Sequence, residues 1–486
     1  MGSVILVREN VGVVSRILRG GGAYFGVIFF STIVSLITLP ILLKNLTVEQ
    51  YATFAMISVY LGIFSQIFDG SAKSAVTIEY NNYDFESDDF KSFLGVVMSL
   101  TTILGSLFCI GIIVVDSIFQ PYKNFIIFDG FQTLTILKIA AILCLIGGFT
   151  PLMSVLYKMR EEPRIIFYFT VLTSTVGLVT TYYYVSYLDL GINGAVRSLF
   201  ITTLLGGFVC TLLILRKSNI TVSLSKSKEI LSYTLPLSLV AITTRSQQFA
   251  DRILIEVLIS NSEMAIYHLG NQMSNYMVIL GLVIYNTWTP IFFEIMKNNP
   301  RAPEIVSKFT SLSVAIGALG IILFVEIGDV VLRIISTEEY SYSSTVMSMI
   351  ACSVIPSLLY TFNGLRLIRE KRTFSIAAIS VTGAISNIVL NLLLLPELGL
   401  LGAGISAIIT YTITASLVIY LSEKIDDIRL ENKDLMLGSF AVIIAMLVRE
   451  MQTFQQWYGT MITLSICIMM SVWAYTNFRS FRTLVD

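Results

Sequence analysis

The chain has 486 residues, 55% of them hydrophobic and 13% charged, where a soluble domain carries about 25% charged residues. Thirty-two Lys and Arg balance 32 Asp and Glu with a single His, so neither a nucleic-acid partner nor a disordered acidic tail is indicated. That composition excludes an ordinary soluble enzyme.

Apolar stretches dominate the chain from end to end. A helix needs about 20 mainly apolar residues to cross a hydrocarbon layer about 30 Å thick. Fourteen runs approach that length, near residues 22 to 43, 51 to 72, 92 to 115, 131 to 157, 165 to 187, 191 to 215, 231 to 258, 265 to 293, 309 to 326, 341 to 365, 374 to 395, 399 to 421, 435 to 449 and 457 to 478. The first follows Arg8, Arg16 and Arg19 and is too long for a secretory signal, so it is expected to remain as a span. Alternating the connections puts 24 of the 32 Lys and Arg on the side of the N-terminus. Lys44, Lys123, Arg333 and Arg449 fall opposite, and Lys138, Arg197, Arg245 and Arg252 fall inside spans. By the positive-inside rule both termini are cytoplasmic. The thirteenth run is short, and Arg449 is expected to snorkel to the interface.

The connections are too short for an extramembrane catalytic domain. The acidic stretch from Glu79 to Asp89 and the mixed one from Glu423 to Asp434 read as solvated loops. Cys109, Cys144, Cys210, Cys352 and Cys467 lie in apolar runs without CxxC spacing, which suits small core residues and not disulfides or zinc ligands. With no GxxxxGK[ST] phosphate loop either, no metal and no cofactor is expected.

An internal echo organises the spans. Asp189 to Ala195 reads DLGINGA and Glu397 to Ala403 reads ELGLLGA, each in a hairpin before an even-numbered span. A tight turn and a close helix approach both need a missing Cβ, which accounts for the glycines. A looser echo sets an acid and then a Tyr after a turn, Glu49 and Tyr51 in one half, Glu263 and Tyr267 in the other. The chain therefore reads as all-α and polytopic, with about 14 transmembrane helices. Residues 1 to 215 form one six-helix bundle, 216 to 230 a cytoplasmic linker, 231 to 422 a second six-helix bundle, and 423 to 486 two additional helices. Six spans per half make the repeat parallel, about an axis along the membrane normal, with the bundles facing a central cavity.

Three stretches carry a family resemblance: LPILLKNLTVEQY at Leu39 to Tyr51, DRILIEVLIS at Asp251 to Ser260, and NIVLNLLLLPELGLLGAGISA at Asn387 to Ala407. Over about residues 15 to 422 the chain resembles the polysaccharide transporter family, whose best-known members are the O-antigen flippases. That family belongs to the multidrug, oligosaccharidyl-lipid and polysaccharide exporter superfamily. The resemblance implies a protein of the bacterial inner membrane that is not an enzyme. It implies movement of an undecaprenyl-diphosphate-linked oligosaccharide to the outer leaflet by alternating access, with glycan polymerase and assembly proteins as partners.

Charge within the spans points to the candidate site. An ionised group near mid-bilayer costs about 2.5 to 3.5 kcal/mol on insertion scales, so such groups face water or partners. Arg245 lies deepest. Gln248, Arg252 and Glu256 share its helical stripe. This stripe either meets the substrate diphosphate, for which guanidinium forks are suited, or pairs with Asp251, Glu256 or a neighbouring helix. Lys138 and Arg197 lie nearer their span ends and either extend the cationic surface or snorkel. His268, Asn271, Gln272 and Asn275 follow the spacing i, i+3, i+4, i+7, with Asn286 on the same face. They offer a sugar-facing wall or interhelical hydrogen bonds. Asn387 and Asn391, at i and i+4, favour helix packing. Asp69 and Lys73, also at i and i+4, suit a local ion pair before a gate.

Two other functions compete. A multidrug exporter of the same superfamily, coupled to a cation, would need acids deep in its spans, but the runs at 22 to 43 and 265 to 293 contain none. A membrane glycosyltransferase or polysaccharide polymerase needs catalytic groups on a sizeable loop, which the short connections lack.

Overall fold

The computed structural model describes residues 13 to 80, 83 to 84, 87 to 119, 130 to 160, 162 to 426, 428 and 456 to 485. The expected run at 435 to 449 lies outside the described residues, as do the side chains of Asp69, Gln248 and Asn286.

The first compact unit ends at Arg252. It contains α1 (Val13–Asn45), α2 (Val48–Glu79), α3 (Asp88–Phe119), α4 (Gly130–Gly147), α5 (Thr150–Met159), α6 (Pro163–Thr181), a π-helical turn (Tyr182–Tyr187), α7 (Gly191–Leu215) and most of α8 (Leu224–Leu258). The expected fourth span is thus two helices, parted just before Pro151, which occupies the first turn of α5 where its missing N–H costs nothing. Around α2 pack α3, α4, α5 and α7, while α6 joins α1 to α7. The chain between α7 and α8 is fastened along α3. Asn219 N–H donates to Lys91 O at 3.0 Å and Ser99 Oγ to Thr221 O at 3.1 Å. Gly95 permits this approach, since a Cβ there would run into Asn219 O.

The acidic connection before α3 is not wholly solvated. Tyr83 stacks on Phe93 with centroids 5.3 Å apart, and burial followed by the charge of Glu79 raises its phenol pKa. The ring stays neutral at physiological pH and anchors the loop.

The second unit, from Ile253, contains α9 (Asn261–Asn298), α10 (Ala302–Ile335), a 3-10 turn (Glu338–Tyr340), α11 (Ser343–Cys352), α12 (Val354–Arg369), α13 (Thr373–Leu398), α14 (Leu400–Glu423) and α15 (Gln456–Val485). Its core gathers Trp288, Phe292, Leu358, Phe362, Ile466 and Met470, with Trp288 stacked on Phe309 at 3.6 Å. The last helix packs on α10 and contributes Ile466 and Met470 to this core.

Both looser and tighter echoes have a physical basis. Thr47 caps α2 by accepting from Gln50 N–H, with the Gln50 side chain returning to Thr47 N–H, and Ser260 caps α9 by accepting from Glu263 N–H at 3.2 Å. Within the first two turns of each helix, Tyr51 and Tyr267 are buried. Gly191 and Gly399 hold φ of +54° and +58°, which L side chains rarely adopt. Gly194 and Gly402 press their helices against Tyr184 O and Leu394 O.

Among the described residues, nine helical stretches have the length and apolarity of membrane spans. Four further helices, α2, α8, α9 and α15, run for 30 to 38 residues. The protein is a multi-pass, all-α membrane protein; the count of fourteen is not reproduced as such, since polar residues interrupt several of the longest helices.

Candidate functional site

The candidate site is built on α8. Its Phe249 ring fills the notch that Gly62 leaves on α2, where an added Cβ would lie 2.6 Å from the ring. The Arg252 guanidinium lies over the same ring, 5.3 Å from its centroid, a cation–π arrangement that tolerates a desolvated charge. Arg252 and Asp251 are both buried, and Arg252 Nη1 stands 3.8 Å from Asp251 Oδ1, longer than a hydrogen bond. Opposite charge at this distance offsets part of the cost of burying either group. Arg245, about two turns earlier, is exposed. Its position on the stripe of Arg252 agrees with the spacing read from the sequence.

Glu256 follows one turn after Arg252 and lies in the second unit. It is half-buried, and its Oε2 is buried without a hydrogen-bond partner among the described residues.

On α9 the polar residues fall on one side. His268, Asn271 and Gln272 are half-buried and Asn275 is exposed, with Asn275 Nδ2 donating to Asn271 Oδ1 at 3.0 Å. The opposite side of α9 is fastened to α11, where Ser343 Oγ donates to Ile266 O at 2.9 Å and Ser274 Oγ to Met347 O at 2.8 Å. The stripe therefore points away from α11. Lys73 is exposed on α2; its expected pairing with Asp69 rests on a side chain outside those described.

Lys138 and Arg197 stand elsewhere in the first unit. Arg197 is exposed and lines a groove of about 300 Å³ with Ile139, Ile142, Tyr184, Phe200 and Ile201. Lys138 is half-buried on α4, one turn before Ile142.

One polar feature escapes sequence reading. Arg366, counted above as a loop-side charge, is fully buried and forms hydrogen bonds to Asp426, Asn363 Oδ1 and Ile428 O. No local spacing signals a partner sixty residues away. Between α13 and α14, Asn387 Oδ1, Asn391 Oδ1 and Thr410 Oγ1 are buried without hydrogen-bond partners. Among the described residues no cluster of three or more His, Cys, Asp or Glu could hold a metal ion.

Comparison with solved structures gives the class. The fold matches the lipid II flippase MurJ in an inward closed conformation, with TM-score 0.72 and 13% identity over 95% of this chain and 99% of that one. It matches an inward-facing multidrug resistance MATE family transporter of the MOP superfamily at TM-score 0.63 and 14% identity, over 81% of this chain and 94% of that one. A MOP superfamily transporter from Pyrococcus furiosus matches at 0.60 and 14%, over 84% and 95%. These likenesses show that the chain shares the fold of those proteins. No curated protein matches in sequence. The family model described as polysaccharide biosynthesis protein matches residues 17–296, and the chain belongs to that family.

Proposed function

We propose that this protein flips an undecaprenyl-diphosphate-linked oligosaccharide, such as an O-antigen repeat unit, from the cytoplasmic to the outer leaflet of the bacterial inner membrane by alternating access. The observation that carries this reading is the Arg252 guanidinium, a cation buried over the Phe249 ring within an apolar helix. Guanidinium presents planar donor pairs that match diphosphate oxygens. Arg245 adds a second cation on the same stripe. His268, Asn271, Gln272 and Asn275 offer donors and acceptors for sugar hydroxyls. The product is material for a glycan polymerase.

Replacing Arg252 by Ala is expected to cut glycan export at least tenfold at normal membrane abundance, and Arg252→Lys to restore part of it by keeping charge without the fork. Surface glycan is measured alongside protein level. Export at the unmodified rate by both Arg252→Ala and Arg245→Ala rules the assignment out.

A second reading, a cation-coupled multidrug exporter, draws on the buried, unpartnered Oε2 of Glu256. It predicts that Glu256→Gln abolishes extrusion of an organic cation such as ethidium from cells carrying the protein, whereas the flippase reading predicts no extrusion at all.

A further inference from the structure

We propose that the groove between α4 and α7 is a binding site for an anionic glycerophospholipid of the surrounding bilayer, with Arg197 holding the phosphate. This goes beyond the transported substrate and concerns the first unit alone. Along α7 the residues Phe200, Leu204, Phe208 and Leu212 recur every four positions and are all exposed. An exposed apolar stripe along the length of a membrane helix is the face that meets lipid. Arg197 stands at the end of that stripe, exposed, about 9 Å from the helix start at Gly191 at 1.5 Å per residue. A cation there, with no hydrogen bond or ion pair among the described residues, lies within reach of lipid phosphates at the interface.

The groove is built, not incidental. Helices α4 and α7 touch where Gly207 meets Ile146 O and Gly147 meets Thr203, and above that contact they part to leave the space lined by Ile139, Ile142, Phe200 and Ile201. The third wall is Tyr184, from the π-helical turn, a backbone form concentrated at functional sites. The end of α6, which leads into that turn, is held to α7 by Ser198, whose Oγ lies 2.7 Å from Thr180 Oγ1 and 2.8 Å from Thr181 Oγ1. The result is an apolar channel wide enough for an acyl chain and positively charged at one end. Charge selects the occupant: a zwitterionic lipid carries its own cation to the rim, whereas an anionic one does not.

The test uses the full-length protein carrying Phe200→Trp in nanodiscs of phosphatidylcholine with a fixed fraction of brominated-chain phosphatidylglycerol or brominated-chain phosphatidylcholine. Native tryptophan fluorescence is subtracted using the parent protein. Quenching at position 200 is expected to reflect about fivefold enrichment of phosphatidylglycerol, the size given by one interfacial cation. Arg197→Gln should remove the preference and Arg197→Lys should keep most of it. Equal quenching by the two lipids, or a preference that survives Arg197→Gln, overturns the proposal. So does displacement of brominated phosphatidylglycerol by an equal fraction of undecaprenyl diphosphate, which would assign the groove to the transported lipid.

Discussion

Two buried arginines show how differently one side chain is used. Arg366 has no exposed side-chain surface; its Nε donates to Asp426 Oδ2 at 3.0 Å, Nη1 to Asn363 Oδ1 at 3.0 Å and Nη2 to Ile428 O at 2.8 Å. Ser422 Oγ in turn donates to Asn363 O at 3.3 Å. This clamp ties the end of α12 to the chain that follows α14. Arg252 instead lies over the Phe249 ring, with Asp251 Oδ1 3.8 Å from its Nη1. Removing one partner of a buried pair strands the other charge, so Asp426→Ala is expected to destabilise the second unit by about 3 to 5 kcal/mol. The double replacement Arg366→Met with Asp426→Leu should cost less than either single change. Thermal unfolding in detergent micelles reads both, and single variants within 1 kcal/mol of the parent would remove Arg366 from this role.

At the scale of elements, the two hairpins with the shared acid-Leu-Gly-x-x-Gly-Ala pattern solve one packing problem twice. A Cβ at Gly194 would lie 2.6 Å from Tyr184 O, and one at Gly402 would collide with Leu394 O. Backbone carbonyls cannot rotate aside as side chains do, so Gly194→Ala and Gly402→Ala are each expected to cost about 1 to 3 kcal/mol despite the better helix propensity of Ala. Gly111 and Gly364 lie in helices with nothing within 4 Å of an added Cβ. There the same substitution should be neutral or stabilise by up to about 1 kcal/mol. Melting temperatures that fall for the first pair and hold or rise for the second would bear this out; four equal shifts would not. The spacing of these glycines was legible in the chain, and so was their mechanical reason. Which carbonyl each one meets was not, because it depends on the π-helical turn in one hairpin and a regular helix in the other.

For the molecule as a whole, the distribution of Lys and Arg implies that the connection between the two bundles faces the cytoplasm. A Cys introduced at Lys226, which is exposed, is expected to resist a membrane-impermeant maleimide in intact cells and to react once the membrane is opened. Labelling in intact cells would reverse the orientation. Cys109, Cys144 and Cys210 are buried and give little background. The positions of the polar stripes on α8 and α9 could be read from helical spacing, because 100° per residue sets which side chains share a face. Their environments could not. Helical period says nothing of the Phe249 ring beneath Arg252, nor of α11 behind α9.

Composition alone determined that this is a membrane protein, since so many apolar residues and so few charges cannot be accommodated by one soluble core. Spacing determined most of the apolar runs and the repeated glycine turns, which depend on residues within a few positions of one another. Tertiary structure alone decided which charges are held and which are available. Arg366, counted in the sequence only among the basic residues on the side of the N-terminus, is locked by Asp426, while Arg197, which either extends a cationic surface or snorkels, is exposed beside an apolar stripe. The physical reason is that the cost of a buried charge is set by its nearest partner in space, and sequence distance carries almost no record of that partner.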